Sequence, residues 1–99
     1  MTGQPLRQPP RRFTTRELKD ALRAGPYTQL GCYPRYFLAD DGEALSFAAV
    51  RREFRQVLWA MRQRQNNGWR VVAVCINYED ADLTCAHTGE RIPSAYADA

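Results

Sequence analysis

The sequence predicts a small α+β domain in which a mostly antiparallel sheet packs against one long helix, with a short helix near the N-terminus. Three features predict this fold class: two segments with helical periodicity, two short hairpin patterns, and a strand pattern over residues 69–78 with a continuous apolar run at 71–76. A chain of 99 residues supplies one hydrophobic core but not two. We therefore expect one domain over residues 13–99, preceded by a basic mobile arm over residues 1–12.

The first helix is predicted at about residues 15–24. Thr14 and Glu17 stand three positions apart, which is the spacing of a capping box. Gly25-Pro26 ends the helix, because glycine readily adopts the backbone conformation found after a helix and proline cannot continue it. This helix could cover the face of the sheet opposite the main helix.

A hairpin is predicted next. Residues 33–38 are aromatic and apolar, as in a strand, and residues 44–45 provide a short returning strand after the turn at residues 40–42. Pro34 cannot donate a ladder hydrogen bond, which places its strand at a sheet edge or limits where the strand begins.

The segment over residues 69–78 is the clearest strand in the sequence. Its apolar residues occupy odd and even positions alike, so both faces are apolar and the strand is predicted to be central in the sheet. A second hairpin is predicted beyond it, with arms at residues 83–84 and 91–92 and a turn over residues 85–90.

The main helix is predicted to begin after Ser46, its N-cap, and to end at about Gln65, where Asn66-Asn67-Gly68 stops it. At ~100° per residue, six apolar residues fall on one arc, which must be the buried face. They are Phe47, Val50, Phe54, Val57, Leu58 and Met61. The spacing predicts one continuous helix packed on the sheet.

Trp59 lies opposite the centre of this buried face, and arginine and glutamine residues surround it. Tryptophan and arginine are residue types that dominate binding hot spots. The residues predicted to contact a partner are Trp59, Arg51, Arg52, Arg55, Gln56 and Arg62. Two other interpretations remain open: Trp59 is covered by the short helix or the arm, or it is exposed without a role.

Charge is unevenly distributed along the chain. The net charge is +3, with +4 over residues 1–23, +3 over residues 24–70 and −4 over residues 71–99. Such a basic N-terminal part can steer a protein to an anionic partner. The alternative function is therefore nucleic-acid binding, in which the arm and the four arginines just named neutralise phosphates. The arm residues of this alternative are Arg7, Arg11 and Arg12.

Candidate chemistry is sparse. Cys85 and His87, on a tight turn, are weak candidates for metal ligands, but a structural zinc site needs four converging ligands and a second pair is missing. A catalytic cysteine needs a base, and His87 is the only histidine. No nucleotide-binding motif appears. We therefore expect no metal, cofactor, small-molecule substrate or enzymatic activity, and a turn that keeps the shape of a zinc knuckle through hydrogen bonds.

The sequence also bears on the cellular compartment. It has no apolar run like that of a secretory signal behind its first residues, and no stretch near the ~20 apolar residues that span a bilayer. Its three cysteines have no paired spacing, which argues against a disulfide framework. We expect a cytoplasmic protein that does not bind a membrane.

Three segments resemble a family of small uncharacterised proteins. They are Tyr33-Pro-Arg-Tyr-Phe-Leu-Ala-Asp-Asp-Gly-Glu-Ala-Leu45, Gly68-Trp-Arg-Val-Val-Ala-Val74 and Cys85-Ala-His-Thr-Gly-Glu-Arg-Ile92, the last followed by Ser94-Ala-Tyr-Ala97. The resemblance covers residues 16–99. It implies an origin on prophages, plasmids and integrative elements of proteobacteria.

The resemblance also implies a treble-clef-like zinc domain, because some members place Cys-x-x-Cys at the start of the main helix and another cysteine in the tail turn. This sequence has Ser46 and Ala49 at those helix positions and Thr88 in the turn. A degenerate domain without metal is therefore expected.

Small size, the missing catalytic set and the Trp59 face of the helix together predict a non-enzymatic interaction protein. Given the implied mobile-element origin, we expect it to bind and modulate or inhibit a protein complex of the host or of the element. An inhibitor that resembles anti-CRISPR proteins is one concrete version.

Overall fold

The computed structural model describes residues 12–96. The elements of this part of the chain are, in order, α1 (Thr15–Ala24), β1 (Arg35–Ala39), β2 (Ala44–Leu45), α2 (Phe47–Arg52), α3 (Phe54–Gln63) and β3 (Val71–Ile76). They form an α+β domain with a three-stranded antiparallel sheet, so the predicted fold class is confirmed. The predicted arm up to residue 11, with Arg7 and Arg11, lies outside the described residues, as do residues 97–99.

Helix α1 has the bounds that the sequence predicts. The Thr14 side chain accepts a hydrogen bond from the Glu17 N–H (3.1 Å), and the Glu17 carboxylate accepts one from the Thr14 N–H (2.8 Å), which completes the capping box. The helix ends at Gly25, whose φ of 97° lies in a region that glycine tolerates.

The strand order is β2-β1-β3, so the central position predicted for the strand at residues 69–78 is wrong. Of the two effects predicted for Pro34, the limit on where its strand begins is the one observed, since β1 starts at Arg35. β1 is central and β3 lies at an edge of the sheet. Pro34 does not exclude β1 from the centre because it precedes the strand, where its carbonyl still accepts a hydrogen bond from the Asn77 N–H (2.9 Å). The apolar run of β3 is compatible with either position, since an apolar strand can leave its outer backbone side open.

The main helix is not one continuous helix, contrary to the prediction. It breaks at Glu53, whose ψ of 30° departs from the helical value of about −42°. The Glu53 N–H still donates to the Ala49 carbonyl, and the Glu53 carbonyl accepts from the Val57 N–H, both at 3.0 Å. The apolar phase therefore continues across the break, and because neither proline nor glycine occurs there, periodicity alone could not reveal it.

The hydrophobic core lies between the sheet and the helices. The ring of Phe47 in α2 stacks on that of Phe37 in β1, with centroids 4.3 Å apart. Of the six residues of the predicted buried face, three are buried and the other three are half-buried against the same core. The buried ones are Phe47, Val50 and Val57, and the half-buried ones are Phe54, Leu58 and Met61.

Helix α1 lies on the same face of the sheet as α2 and α3, and not on the opposite face. Arg35 and Phe37 are two positions apart in β1 and therefore point to the same side of the sheet. Phe37 contacts α2, while Arg35 Nη2 donates to the carbonyls of Ala21 (3.3 Å) and Gly25 (2.7 Å) at the end of α1.

The second predicted hairpin is present in a minimal form. Thr84 and Arg91 form an isolated bridge, and the Ile92 N–H donates to the Leu83 carbonyl (2.8 Å). The Ala86 N–H donates to the Ala44 carbonyl of β2 (2.8 Å), so this hairpin covers the β2 edge of the sheet.

Among the helices of residues 12–96, none is long and apolar enough to cross a membrane.

The Phe37–Phe47 stack yields a stability prediction. Phe47→Ala should lower the free energy of unfolding by about 3–5 kcal/mol, because it leaves a cavity beside a fully buried ring. Phe54→Ala should lower it less, since Phe54 is only half-buried. Urea denaturation of both variants, with Ala48→Ser at the neighbouring exposed position as control, measures the difference. An equal loss of unfolding free energy in Phe47→Ala and Phe54→Ala would contradict a core that contains the Phe47 ring at its centre.

Candidate protein-binding surface

Trp59 is placed by the helical phase of α3. Val57 and Ala60 are fully buried on the inner side of this helix, and the Trp59 side chain, directly between them in sequence, is 52% exposed. A large apolar ring in that position leaves much surface in contact with water, at a cost of roughly 25 cal/mol per Å² of apolar area. Within residues 12–96, the outer side of α3 therefore carries a half-exposed indole ring.

Within residues 12–96, the Trp59 side chain forms no hydrogen bond, no aromatic pair and no cation–π contact. The second tryptophan, Trp69, differs: its ring packs against the core and contacts the His87 ring edge-on at 4.8 Å. The short helix, suggested by the sequence as a cover for Trp59, does not bury it, because Trp59 is half-exposed in the presence of α1. Trp59 therefore lacks the aromatic ring contact that Trp69 makes within the domain.

The break at Glu53 brings several predicted contact residues together. A shallow depression at the α2–α3 junction is lined by six consecutive residues, Arg51, Arg52, Glu53, Phe54, Arg55 and Gln56. Phe54 is apolar and half-buried, while the three arginines and the glutamine are exposed.

The exposed residues of this depression continue towards the indole ring along α3. Arg55 lies four positions before Trp59 and Arg62 three positions after it, so both are neighbours of Trp59 on the helix surface. We refer to the exposed set as the Trp59 surface. It comprises Trp59, Arg52, Arg55, Gln56 and Arg62.

Arg51 also lines this depression, but we do not include it in the Trp59 surface because its guanidinium is already bonded to α1. Its Nη2 donates to the Leu22 carbonyl of α1 at 2.6 Å. Together with Arg35, it places positive charge at the C-terminal end of α1, where the carbonyls carry partial negative charge. The structure therefore gives Arg51 a role in holding α1, although its side chain is still exposed.

Arg12 is the one arm residue of the nucleic-acid alternative within the described part. It is exposed and lines a small pocket with Phe13, Arg64 and Arg70 near the start of β3. A second basic group, which the sequence analysis did not single out, therefore lies at this end of the sheet.

The two weak metal candidates have separate contacts. Cys85 is 1% exposed, and its Sγ accepts a hydrogen bond from the Ser46 N–H at 3.3 Å. The His87 Nε2 lies 3.7 Å from the Glu53 carboxylate. No group of three histidine, cysteine or acidic residues in the described ranges could hold a metal ion.

The turn around Cys85 is held by hydrogen bonds. The Cys85 N–H donates to the Glu90 carbonyl and the Gly89 N–H to the Cys85 carbonyl, both at 2.8 Å. Burial alone would raise the pKa of the Cys85 thiol, but hydrogen bonds from Thr88 and Ser46 outweigh it and lower the pKa to about 7.

Sequence reasoning missed an exposed cluster of tyrosines at the other end of the sheet. The rings of Tyr33, Tyr78 and Tyr96 lie 5.5–6.3 Å apart, and the Tyr96 hydroxyl donates to that of Tyr33 (3.1 Å). This hydrogen bond raises the pKa of Tyr96. The three residues come from distant segments, so no local pattern could indicate the cluster.

No protein-family model, no curated protein and no solved structure matches this chain.

We predict that the purified protein contains no stoichiometric metal, because the ligand set stops at Cys85 and His87, which contact different partners. Elemental analysis by mass spectrometry measures this directly. About one zinc per chain, lost together with folding when a chelator is added, would contradict the expectation.

The Cys85 pKa predicts a rise in stability with pH. Its folded-state pKa of about 7 lies below the ordinary value of 9.0, so the unfolded state binds more protons between these two values. Unfolding free energy should therefore increase from pH 7 towards pH 9, by about 1 kcal/mol after allowance for solvent screening. The contribution disappears as pH falls below 7. Urea titrations at pH 6.5 and 8.5 should show this gain, and Cys85→Ala should abolish it; a gain that persists in the variant would refute the assignment.

Proposed function

We propose that this protein is a non-enzymatic binding protein that contacts a protein partner through the Trp59 surface. The observation that carries the proposal is the half-exposed Trp59 ring, which has no partner within residues 12–96 and is flanked by arginines. Interface hot spots combine these residue types, with an aromatic anchor inserted into a pocket and charged groups around it.

The charge of the surface indicates the chemistry of the partner. Arg52, Arg55 and Arg62 form no ion pair with any residue of the described part of the chain. Each guanidinium has donors in a fixed planar arrangement that suits a carboxylate. We therefore propose that the partner presents an apolar pocket for the indole ring with acidic side chains around it.

The arrangement of the candidate catalytic residues supports a binding role. Cys85 is buried against Ser46, whereas the His87 ring contacts Trp69 and its Nε2 faces Glu53. A nucleophilic cysteine needs a base within hydrogen-bonding reach, and these contacts direct the two side chains to different neighbours.

The resemblance to proteins of prophages, plasmids and integrative elements supports a more specific version. In that version the partner is a protein complex of the host or of the element, which this cytoplasmic protein modulates or inhibits, as anti-CRISPR proteins do. Binding of a rigid helical surface without catalysis suffices for such a role.

Nucleic-acid binding is the second candidate, because the Trp59 surface is basic. Arg12, Arg64 and Arg70 add positive charge at the start of β3. Binding that rests on charge alone weakens steeply with salt because counterions are released. The affinity for nucleic acid should therefore fall more steeply with salt than the affinity for a protein partner that also binds the indole ring.

The Trp59 surface predicts that stability and binding separate. Trp59→Ala should change the free energy of unfolding by less than about 1 kcal/mol, as for an exposed residue without special contacts. It should weaken partner binding by about 2 kcal/mol or more, the loss typical of a hot spot. Tyr27→Ala is the matched control, since Tyr27 is 47% exposed but lies outside the surface.

Affinity capture from the native host, followed by titration of the recovered partner with each variant, measures these effects. If Trp59→Ala destabilises the fold as much as Phe47→Ala, the ring is structural and the proposed surface is wrong. Unchanged affinity of Trp59→Ala for the partner would also contradict the proposal.

Nucleic acid should bind weakly and without sequence preference, and nuclease should not release the captured partner. Titration of DNA and RNA oligonucleotides at increasing salt measures the first point. A sub-micromolar, sequence-selective complex that survives about 200 mM salt would instead support the nucleic-acid proposal.

A further inference from the structure

β3 presents an open, apolar edge. It is the outermost strand on its side of the sheet in the described part of the chain, and its sequence, Val71–Ile76, contains no charged residue and no proline. Proteins usually protect such edges with charges, prolines or a covering segment, because an unpaired edge is a template for another strand. The opposite edge, β2, is covered by the second hairpin.

The register shows which backbone groups point outward. Asn77 is hydrogen-bonded to Pro34, and opposite residues alternate between bonded and non-bonded pairs in an antiparallel ladder. Val74 and Ile76 therefore stand in non-bonded pairs with β1 and direct their N–H and C=O groups to the open side. In agreement, the N–H of Arg35, which stands opposite Ile76, donates to the Pro26 carbonyl.

The open stretch is short and has defined limits. On one side, the register shifts between Leu38 and Ala39, and the pocket that contains Arg12 borders Val72. On the other side, the Tyr78 carbonyl already accepts a hydrogen bond from the Tyr96 N–H (2.8 Å). Between these limits, and as far as residues 12–96 are concerned, only Val74 and Ile76 offer free pairing groups, with Cys75 at the centre.

We propose that β3 pairs with β3 of a second copy of this chain, antiparallel and with the two-fold axis at Cys75. In this register Val74 pairs with Ile76 of the other copy and Ile76 with Val74, which makes four hydrogen bonds and one continuous six-stranded sheet. It is the symmetric arrangement that uses the free groups of Val74 and Ile76 on both chains.

Charge complementarity favours a second copy over another partner. The start of β3 is basic, with Arg64 and Arg70, and the turn after β3 is acidic, with Glu79, Asp80 and Asp82. An antiparallel two-fold arrangement brings the basic end of each chain towards the acidic end of the other. The inference does not rest on the proposed function, although a dimer would present two Trp59 surfaces.

The register makes Cys75 a reporter of the dimer. Residues at the axis form a non-hydrogen-bonded pair, whose Cα atoms lie about 4.5 Å apart, within the range that a disulfide spans. Copper phenanthroline with oxygen oxidises two such thiols to a disulfide. The background Cys32→Ser removes the exposed cysteine, and Cys85 is buried.

The experiment combines mass and cross-linking on the full-length protein. Sedimentation equilibrium should show a dimer of the 11.4 kDa chain that dissociates on dilution, with a dissociation constant in the micromolar range expected of a small interface. Oxidation of the Cys32→Ser protein should give a covalent dimer that disappears in Cys32→Ser/Cys75→Ser. Ile76→Pro, which removes one outward N–H at a strand end where proline is tolerated, should weaken the dimer at least tenfold.

Circular dichroism of Ile76→Pro shows whether it is folded, and the measurements on the other proteins stand if it is not. A monomer at all concentrations up to about 500 μM, without Cys75 cross-linking, would overturn the proposal. A dimer that forms without Cys75 cross-linking would show a different interface and also overturn it. Monomers whose β3 amides gain exchange protection only with an added partner protein would show that the edge receives a foreign strand instead.

Discussion

The stack of Phe47 on Phe37 determines how the helices lie on the sheet. Phe37 belongs to the central strand and is fully buried, and Phe47 is the first residue of α2. The hydrogen bonds across Glu53 continue the helical phase of α2 into α3. The packing of the Phe47 ring therefore also determines which side of α3 faces the core. Val57 then points inward and Trp59 outward. The exposure of Trp59 is thus a consequence of core packing rather than of a separate feature of α3.

Arg35 connects the third helix to the same core. Its guanidinium lies 5.4 Å from the centre of the Phe47 ring and donates to two carbonyls at the end of α1. A cation in this position interacts favourably with the aromatic face and with the negative end of the helix dipole. Arg51 adds a further bond to α1. Two arginines therefore place α1 on the same side of the sheet as α2 and α3.

Local patterns predicted the parts of the fold that depend on local chemistry. The Thr14–Glu17 capping box gave the start of α1, and the spacing of apolar residues gave the buried face of the main helix. Strand order could not be obtained in this way, because Pro34 restricts only its own N–H and an apolar strand fits both the centre and the edge of a sheet. The break at Glu53 has no signal in residue type.

The candidate site was predictable to a similar extent. Helical phase was sufficient to place Trp59 and Arg55 on the outer face. It could not show that Arg51 reaches α1, since that contact joins residues 29 positions apart. The same limit applies to the tyrosine cluster and to the open edge of β3, both of which arise from tertiary contacts.

The most direct test of this account is the solvent accessibility of the two indole groups in the full 99-residue chain. A gadolinium chelate in solution broadens the NMR signals of N–H groups near the protein surface, and Trp69→Phe assigns the two indole signals. The account predicts strong broadening for Trp59 and much weaker broadening for Trp69, which packs against the core. Equal protection of both indoles would contradict it, because another part of the chain would then cover Trp59.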